Sequence, residues 1–144
     1  LLPEYAHGAD EDAGMDLRAF EDAILEPGAP LALRTGVAIE LPPGFEAQVR
    51  PRSGLALRHA ITLPNAPATI DPGYRGEIKA LLINTSNETM TFKRGDRVIQ
   101  LIVARIDTTV YYHKGVPDDE TERGENGFGS SGLRNGKYVM EEGR

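Results

Sequence analysis

Five short stretches of this chain combine residue types that can do chemistry. Ala13-Gly14-Met15-Asp16-Leu17-Arg18-Ala19 places Asp16 in an extended segment beside Gly14. Its carboxylate suits either a salt bridge, to Arg18 or another neighbour, or a magnesium ion held through water. Pro51-Arg52-Ser53-Gly54 brings a cation, a hydroxyl and a glycine to the start of a short helical stretch. Free N–H groups there would face an anion. The same four residues also read as an ordinary helix start with Ser53 as the N-cap.

Residues 65–77 (NAPATIDPGYRGE) follow Pro64 and carry Pro67, Pro72, Gly73 and Gly76. These force a hairpin-like excursion with Asp71 and Tyr74 at its turn. An aspartate before Pro-Gly often caps its own backbone. The alternative makes Asp71 a general base and Tyr74 a flat wall for a substrate ring. Arg94-Gly95-Asp96-Arg97 is turn chemistry, but Gln100 then falls within an apolar strand. A buried amide needs partners, in the backbone or in a ligand. Residues 123–132 (RGENGFGSSG) form a glycine-rich loop with Arg123, Ser130 and Ser131, suited to wrapping phosphate with main-chain N–H groups. Phe128 there can stack on a base. The composition equally describes a linker, and no Gly-Lys-Ser/Thr follows that would make it a P-loop.

Short elements joined by tight turns must position these residues. Residues 31–41 (LALRTGVAIEL) are β-branched or apolar with period-two stretches, ended by Pro42-Pro43-Gly44. Phe45, Ala47 and Val49 then alternate with Glu46, Gln48 and Arg50, which predicts a half-buried strand. Residues 78–84 (IKALLIN) and 97–106 (RVIQLIVARI) also read as strands. The second is apolar on both faces, which predicts burial against two layers or against another subunit. Asn84 to Asn87 and Lys93 to Asp96 supply turn residues. Only residues 53–60 (SGLALRHA) look helical. With 16 glycines and 10 prolines in 144 residues, the punctuation suits an all-β barrel or sandwich of short strands. Residues 117–137 turn acidic and then Gly/Ser-rich, the texture of a tail.

Composition narrows the function classes. A net charge of -6 argues against non-specific duplex binding, which needs a basic face, yet a few converging arginines can still hold a phosphorylated small molecule. No cysteine is present, so disulfides and thiolate metal sites are excluded; His7, His59 and His113 are too scattered for a zinc site. No run reaches transmembrane length and no basic-then-apolar leader opens the chain, so a soluble cytoplasmic protein without membrane or nucleic-acid partners is expected.

Taken together and in order, AGMDLRA, PRSG, NAPATIDPGYRGE, RGDRVIQL and RGENGFGSSG resemble the five motifs of the trimeric dUTP pyrophosphatase family, spanning residues 13–132. The resemblance implies a jelly-roll-like β-barrel subunit with one short helix. Its core would be residues 1–116, and residues 117–144 would form an arm closing over a neighbouring subunit's site. Three chains would make a homotrimer, each site shared among them. The implied reaction is magnesium-assisted attack of water on the α-phosphorus of dUTP. It would yield dUMP and pyrophosphate, so that removal of dUTP keeps uracil out of DNA and the dUMP supplies dTMP synthesis.

Carried over by position, Asp71 would orient the attacking water and Asp16 would hold the hydrated magnesium. Arg52, Ser53, Gly54 and Gln100 would contact phosphates. Asn65, Thr69, Ile70, Asp71 and Lys79 would contact uracil and deoxyribose, with Tyr74 under the sugar leaving no space for a 2′-hydroxyl. Arg123, Ser130 and Ser131 would hold the γ-phosphate, with Phe128 over the uracil, and Gly129 would also contact the substrate. Such a reaction needs positioning and charge neutralisation, not a covalent nucleophile, so the lack of cysteine fits it.

Three departures from the family pattern stand out. Ala68 replaces the usual glycine, so the hairpin backbone is expected to shift or to accept less permissive angles. His7 to Asp12 (HGADED) is longer and more acidic than the usual lead-in, and Leu1 begins inside what resembles the first strand's exit, so residues before it are expected to be missing. The rival readings are a dCTP deaminase-like relative, which should lack the Arg123–Phe128 arm, and a non-catalytic regulatory module of the same fold, which should lack Asp71 or the arm.

Overall fold

Alternation of apolar and polar residues is realised as short antiparallel strands. The computed structural model describes residues 1–110. In chain order these form β1 (Met15–Arg18), β2 (Ala23–Leu25), β3 (Leu31–Val37), β4 (Phe45–Pro51), α1 (Ser53–His59), β5 (Ile61–Thr62), β6 (Ala68–Ile70), β7 (Ile78–Asn84), β8 (Met90–Phe92) and β9 (Arg97–Arg105). All lie within one unit, Leu1–Thr108. The strands make three antiparallel sheets, ordered β1-β9-β4-β6, β3-β7-β5 and β2-β8. The class is therefore all-β with one short helix, as the composition predicts. The expected boundary at residue 116, and the arm beyond it, lie outside the described residues. No described helix is long and apolar enough to cross a membrane.

Inward-facing positions of the longer strands build the core. Leu33 and Val37 of β3, Val49 of β4, Ile78 and Leu82 of β7, and Ile99 and Leu101 of β9 are buried together with Leu17 and Phe92. Each such side chain, removed from water, stabilises the fold by about 1.5–3 kcal/mol. The intervening residues Arg34, Arg50 and Lys79 stay exposed. The charged faces of these strands thus remain available to a ligand while the apolar faces hold the strands in place.

Four expectations need correcting. β3 ends at Val37 rather than residue 41, because its partner β7 begins at Ile78 opposite Val37; before that its register slips between Arg34 and Val37, with Gly36 at φ 71°. Ser53 is not the N-cap. Arg52 holds that position in extended conformation, without a side-chain cap, and its carbonyl accepts from both Leu55 and Ala56. The helix ends at His59, with Ala60 left-handed at φ 53°. In β9, two-sided burial holds only for the first half: Val98 and Ile99 are both buried, whereas Val103 is exposed within this chain.

Two of the departures take definite form. Ala68 lies in β6 opposite Val49 and is not among the positive-φ residues, so a glycine's freedom is not needed there. The His7–Asp12 segment closes on itself: the Asp12 carboxylate accepts the His7 main-chain N–H at 2.6 Å and bonds the His7 Nδ1 at 3.1 Å. Those bonds, the main-chain one first, hold the Asp12 carboxyl below its ordinary range. The loop thereby returns Glu4 to pair with Asp16.

Candidate active site

The excursion between β5 and β7 builds a cleft of about 340 Å³. Asn65, Thr69, Ile70, Asp71, Tyr74 and Lys79, all expected in the site, line it, as do Ala68 and Glu77. β6 fixes its floor by pairing with β4, Thr69 opposite Gln48 and Ile70 opposite Ala47. At the tip the main chain closes the turn without the Asp71 side chain: Tyr74 N–H donates to the Asp71 carbonyl at 3.0 Å. The Asp71 carboxylate therefore is not the backbone cap that Asp-Pro-Gly often provides. It is exposed and has no hydrogen-bond or ion-pair partner among the described residues. Such a carboxylate keeps its lone pairs for a water or a substrate hydroxyl. The Tyr74 hydroxyl donates to the Glu77 carbonyl at 3.0 Å, which turns the ring back over Gly76.

A second group gathers around β1, β9 and the start of α1. Asp16 faces Gln100 across the β1–β9 ladder. It is buried, and each of its oxygens meets an arginine: Arg52 Nε at 3.0 Å from Oδ1 and Arg97 Nη1 at 3.4 Å from Oδ2. The salt bridge open in the sequence is thus made to Arg52 and Arg97; Arg18 turns instead to the Gly95 carbonyl and Glu4. Arg52 Nη1 also donates to the Arg97 carbonyl at 2.9 Å. Gln100 Nε2 donates to the Pro51 carbonyl at 3.1 Å, which sets its amide beside the Arg52-Ser53-Gly54 corner. Gly14 leaves room for that amide, since a Cβ there would lie 2.8 Å from Gln100 Oε1. At the corner the helix's own bonds begin with Leu55 and Ala56, so Ser53 and Gly54 have N–H groups without an intrahelical partner.

Arg18, Arg52 and Arg97 share the lining of a cleft of about 360 Å³ here, a concentration of cations in a net-negative chain. Neither Arg97 nor Glu77 carries an expected role in the sequence. The sequence signal for Arg97 was only a cation opening an apolar strand, and for Glu77 a carboxylate at the foot of the hairpin. Arg123, Phe128, Gly129, Ser130 and Ser131 lie outside the described residues.

The lining of the Asp71 cleft includes none of Asp16, Arg52, Ser53, Gly54 or Gln100, and of these only Arg52 lines the arginine-rich cleft. Among the described residues no cluster of three His, Cys, Asp or Glu could hold a metal directly. Asp16, with each oxygen already paired to a guanidinium, suits the water shell of a magnesium ion that arrives on a polyphosphate. That is the manner in which this ion usually binds, with few protein ligands.

A model of the dUTPase family matches residues 3–132 of this sequence. The chain belongs to the dUTPase family. Among relatives of this family, the deoxyuridine 5′-triphosphate nucleotidohydrolase of Solibacter usitatus is 56% identical over 132 residues, covering 92% of this chain and 88% of that protein. The protein of the same name from Zymomonas mobilis is 50% identical over 133 residues, covering 92% and 90%. Among solved dUTPases, that of Staphylococcus bacteriophage 80alpha with dUPNHPP superposes with a TM-score of 0.78 at 26% identity, covering 92% of each chain.

Proposed function

We propose that this chain hydrolyses dUTP to dUMP and pyrophosphate in the cytoplasm, as a homotrimer with magnesium. The observation that carries the reading is Asp71, whose carboxylate has no partner among the described residues, in a cleft it lines with Asn65, Thr69, Ile70, Tyr74 and Lys79. Family membership, with relatives named for this activity at up to 56% identity, supports the same substrate. Asp71 accepts a proton from a water, whose oxygen bonds to the α-phosphorus as the bond from that phosphorus to the bridging oxygen breaks. Pyrophosphate leaves with the bridging oxygen. A positioned base of this kind is worth about 10²–10⁴-fold.

The remaining side chains bind and orient. The main-chain edges and side chains of Asn65, Thr69, Ile70 and Lys79 read uracil and deoxyribose, and the Tyr74 ring closes the space a 2′-hydroxyl would need. Arg52, Ser53, Gly54 and Gln100 hold phosphates, in keeping with the free N–H groups and guanidinium at that corner. Magnesium, when bound, neutralises triphosphate charge; Asp16 holds it through water. The division into a core, residues 1–116, and an arm, 117–144, completes the site. From the arm, Arg123, Ser130 and Ser131 take the γ-phosphate, Phe128 covers the base and Gly129 also contacts the substrate. The separation of the hairpin cleft from Arg52 within one chain supports a site built from several chains. Pyrophosphate release measured with dUTP, dTTP, dCTP and UTP tests the reading. We expect dUTP to be used at least about 100-fold better than the others; comparable rates on dUTP and dCTP would contradict it.

A further inference from the structure

We propose that Glu77 is a positioning residue for Tyr74, and through Tyr74 a determinant of the preference for deoxyribose over ribose. The proposal rests on the reading of Tyr74 as the wall beneath the sugar. It begins at the irregularity in β3. Arg34 faces Lys79 and Val37 faces Ile78, so Thr35 and Gly36 are extra residues in the β3–β7 ladder. A bulge of this kind leaves ladder groups to be satisfied by other means. The Gly36 N–H donates to Glu77 Oε1 at 2.8 Å, and Arg34 Nε donates to Oε2 at 3.1 Å. Both donors are themselves held. The Arg34 guanidinium lies 5.0 Å from the centroid of the Phe20 ring, and a Cβ at Gly36 would come within 2.5 Å of that ring.

The Glu77 carboxylate therefore pins its own residue to β3 at the point where the excursion rejoins β7. From the same residue, the main-chain carbonyl receives the Tyr74 hydroxyl. The ring direction is thus referenced to the Glu77 peptide, and the Glu77 peptide to the bulge. Gly76 permits the arrangement, because any Cβ there would collide with the phenol. Tyr74, Glu77 and Asp71 line one cleft, so a turn of the ring changes the space beside the reacting group. The Gly36 N–H, and after it Arg34, hold the Glu77 carboxyl below its ordinary range, so the clamp is charge-assisted at neutral pH. Arg75 braces the tip separately, donating to the Pro72 and Tyr74 carbonyls at 2.7 and 3.0 Å. Loss of the Glu77 clamp should then loosen the ring without unfolding the hairpin.

The test compares kcat/KM for dUTP and for UTP in wild type, Glu77→Ala, Glu77→Gln, Glu77→Asp and Tyr74→Ala. The ratio of the two values cancels the folded fraction, so lost stability alone does not move it. We expect Glu77→Ala to lower the ratio about tenfold, the effect of one poorly placed steric wall. Glu77→Gln keeps an acceptor for Gly36 and should stay within about threefold of wild type, while Tyr74→Ala should fall at least as far as Glu77→Ala. If Glu77→Ala does not fold, Glu77→Asp, which keeps the charge but not the reach, should move the ratio in the same direction. A wild-type ratio in the folded Glu77 variants, with the ratio lost in Tyr74→Ala, would overturn the proposal and leave the Tyr74 reading standing. A wild-type ratio in Tyr74→Ala would overturn the reading of Tyr74 and the proposal with it.

Discussion

Two carboxylates of this chain, Asp16 and Asp71, occupy opposite circumstances, and their surroundings assign them different work. Asp16 is buried with a guanidinium at each oxygen, Arg52 at Oδ1 and Arg97 at Oδ2, a setting that organises cations. The Asp71 carboxylate is exposed and has no partner among the described residues, at a turn closed by the main chain and Arg75. Asp71→Asn should accordingly leave the fold unchanged, because no contact of that carboxylate among the described residues is lost. It should lower kcat by about 10²–10⁴-fold, because an amide cannot take a proton from water. Thermal melting and steady-state kinetics on the same preparation check this. A lowered melting temperature with near-wild-type kcat would make Asp71 a structural residue.

The elements that carry these side chains are held by a few polar knots as well as by the core. Asn84, the last residue of β7, is fully buried. Its amide donates to the Leu25 and Glu88 carbonyls at 3.2 and 2.7 Å and accepts from Ser86 N–H and Oγ at 3.0 and 2.7 Å. Asn84→Ala leaves those groups without partners in a buried place, and should cost about 2–4 kcal/mol in a denaturant titration. A change under about 0.5 kcal/mol would mean that water replaces the amide. In the sequence Asn84 reads as the strand's last residue and the start of a turn, and its burial is not legible there, because a polar side chain before Thr-Ser-Asn looks exposed until its strand partners are known. β4 and β7 were legible from alternation over seven residues, whereas β2, β5, β6 and β8 have two or three residues each, too few to show a period. The hairpin residues from Asn65 to Lys79 were legible as one group because proline and glycine confine them locally. Arg97 and Glu77 were not, since their partners Asp16 and Gly36 lie 81 and 41 residues away in sequence.

At the scale of the whole molecule, the central claim is that a working site needs more than one chain. The Asp71 cleft and the arginine-lined cleft beside Asp16 are distinct within a single chain, and the proposed arm brings Arg123 and Phe128 to a neighbour. Two inactive variants, Asp71→Asn and a chain ending before Arg123, should then rescue each other when unfolded together in equal amounts and refolded. A site works only when its hairpin comes from a truncated chain and its arm from an Asp71→Asn chain. Random assembly of a closed ring meets both conditions in about one site in four. Pyrophosphate release from dUTP by the mixed trimers, compared with each variant refolded alone, is the deciding measurement. Recovery near a quarter of wild type is the result this account predicts; hybrid trimers no more active than their parents would contradict it.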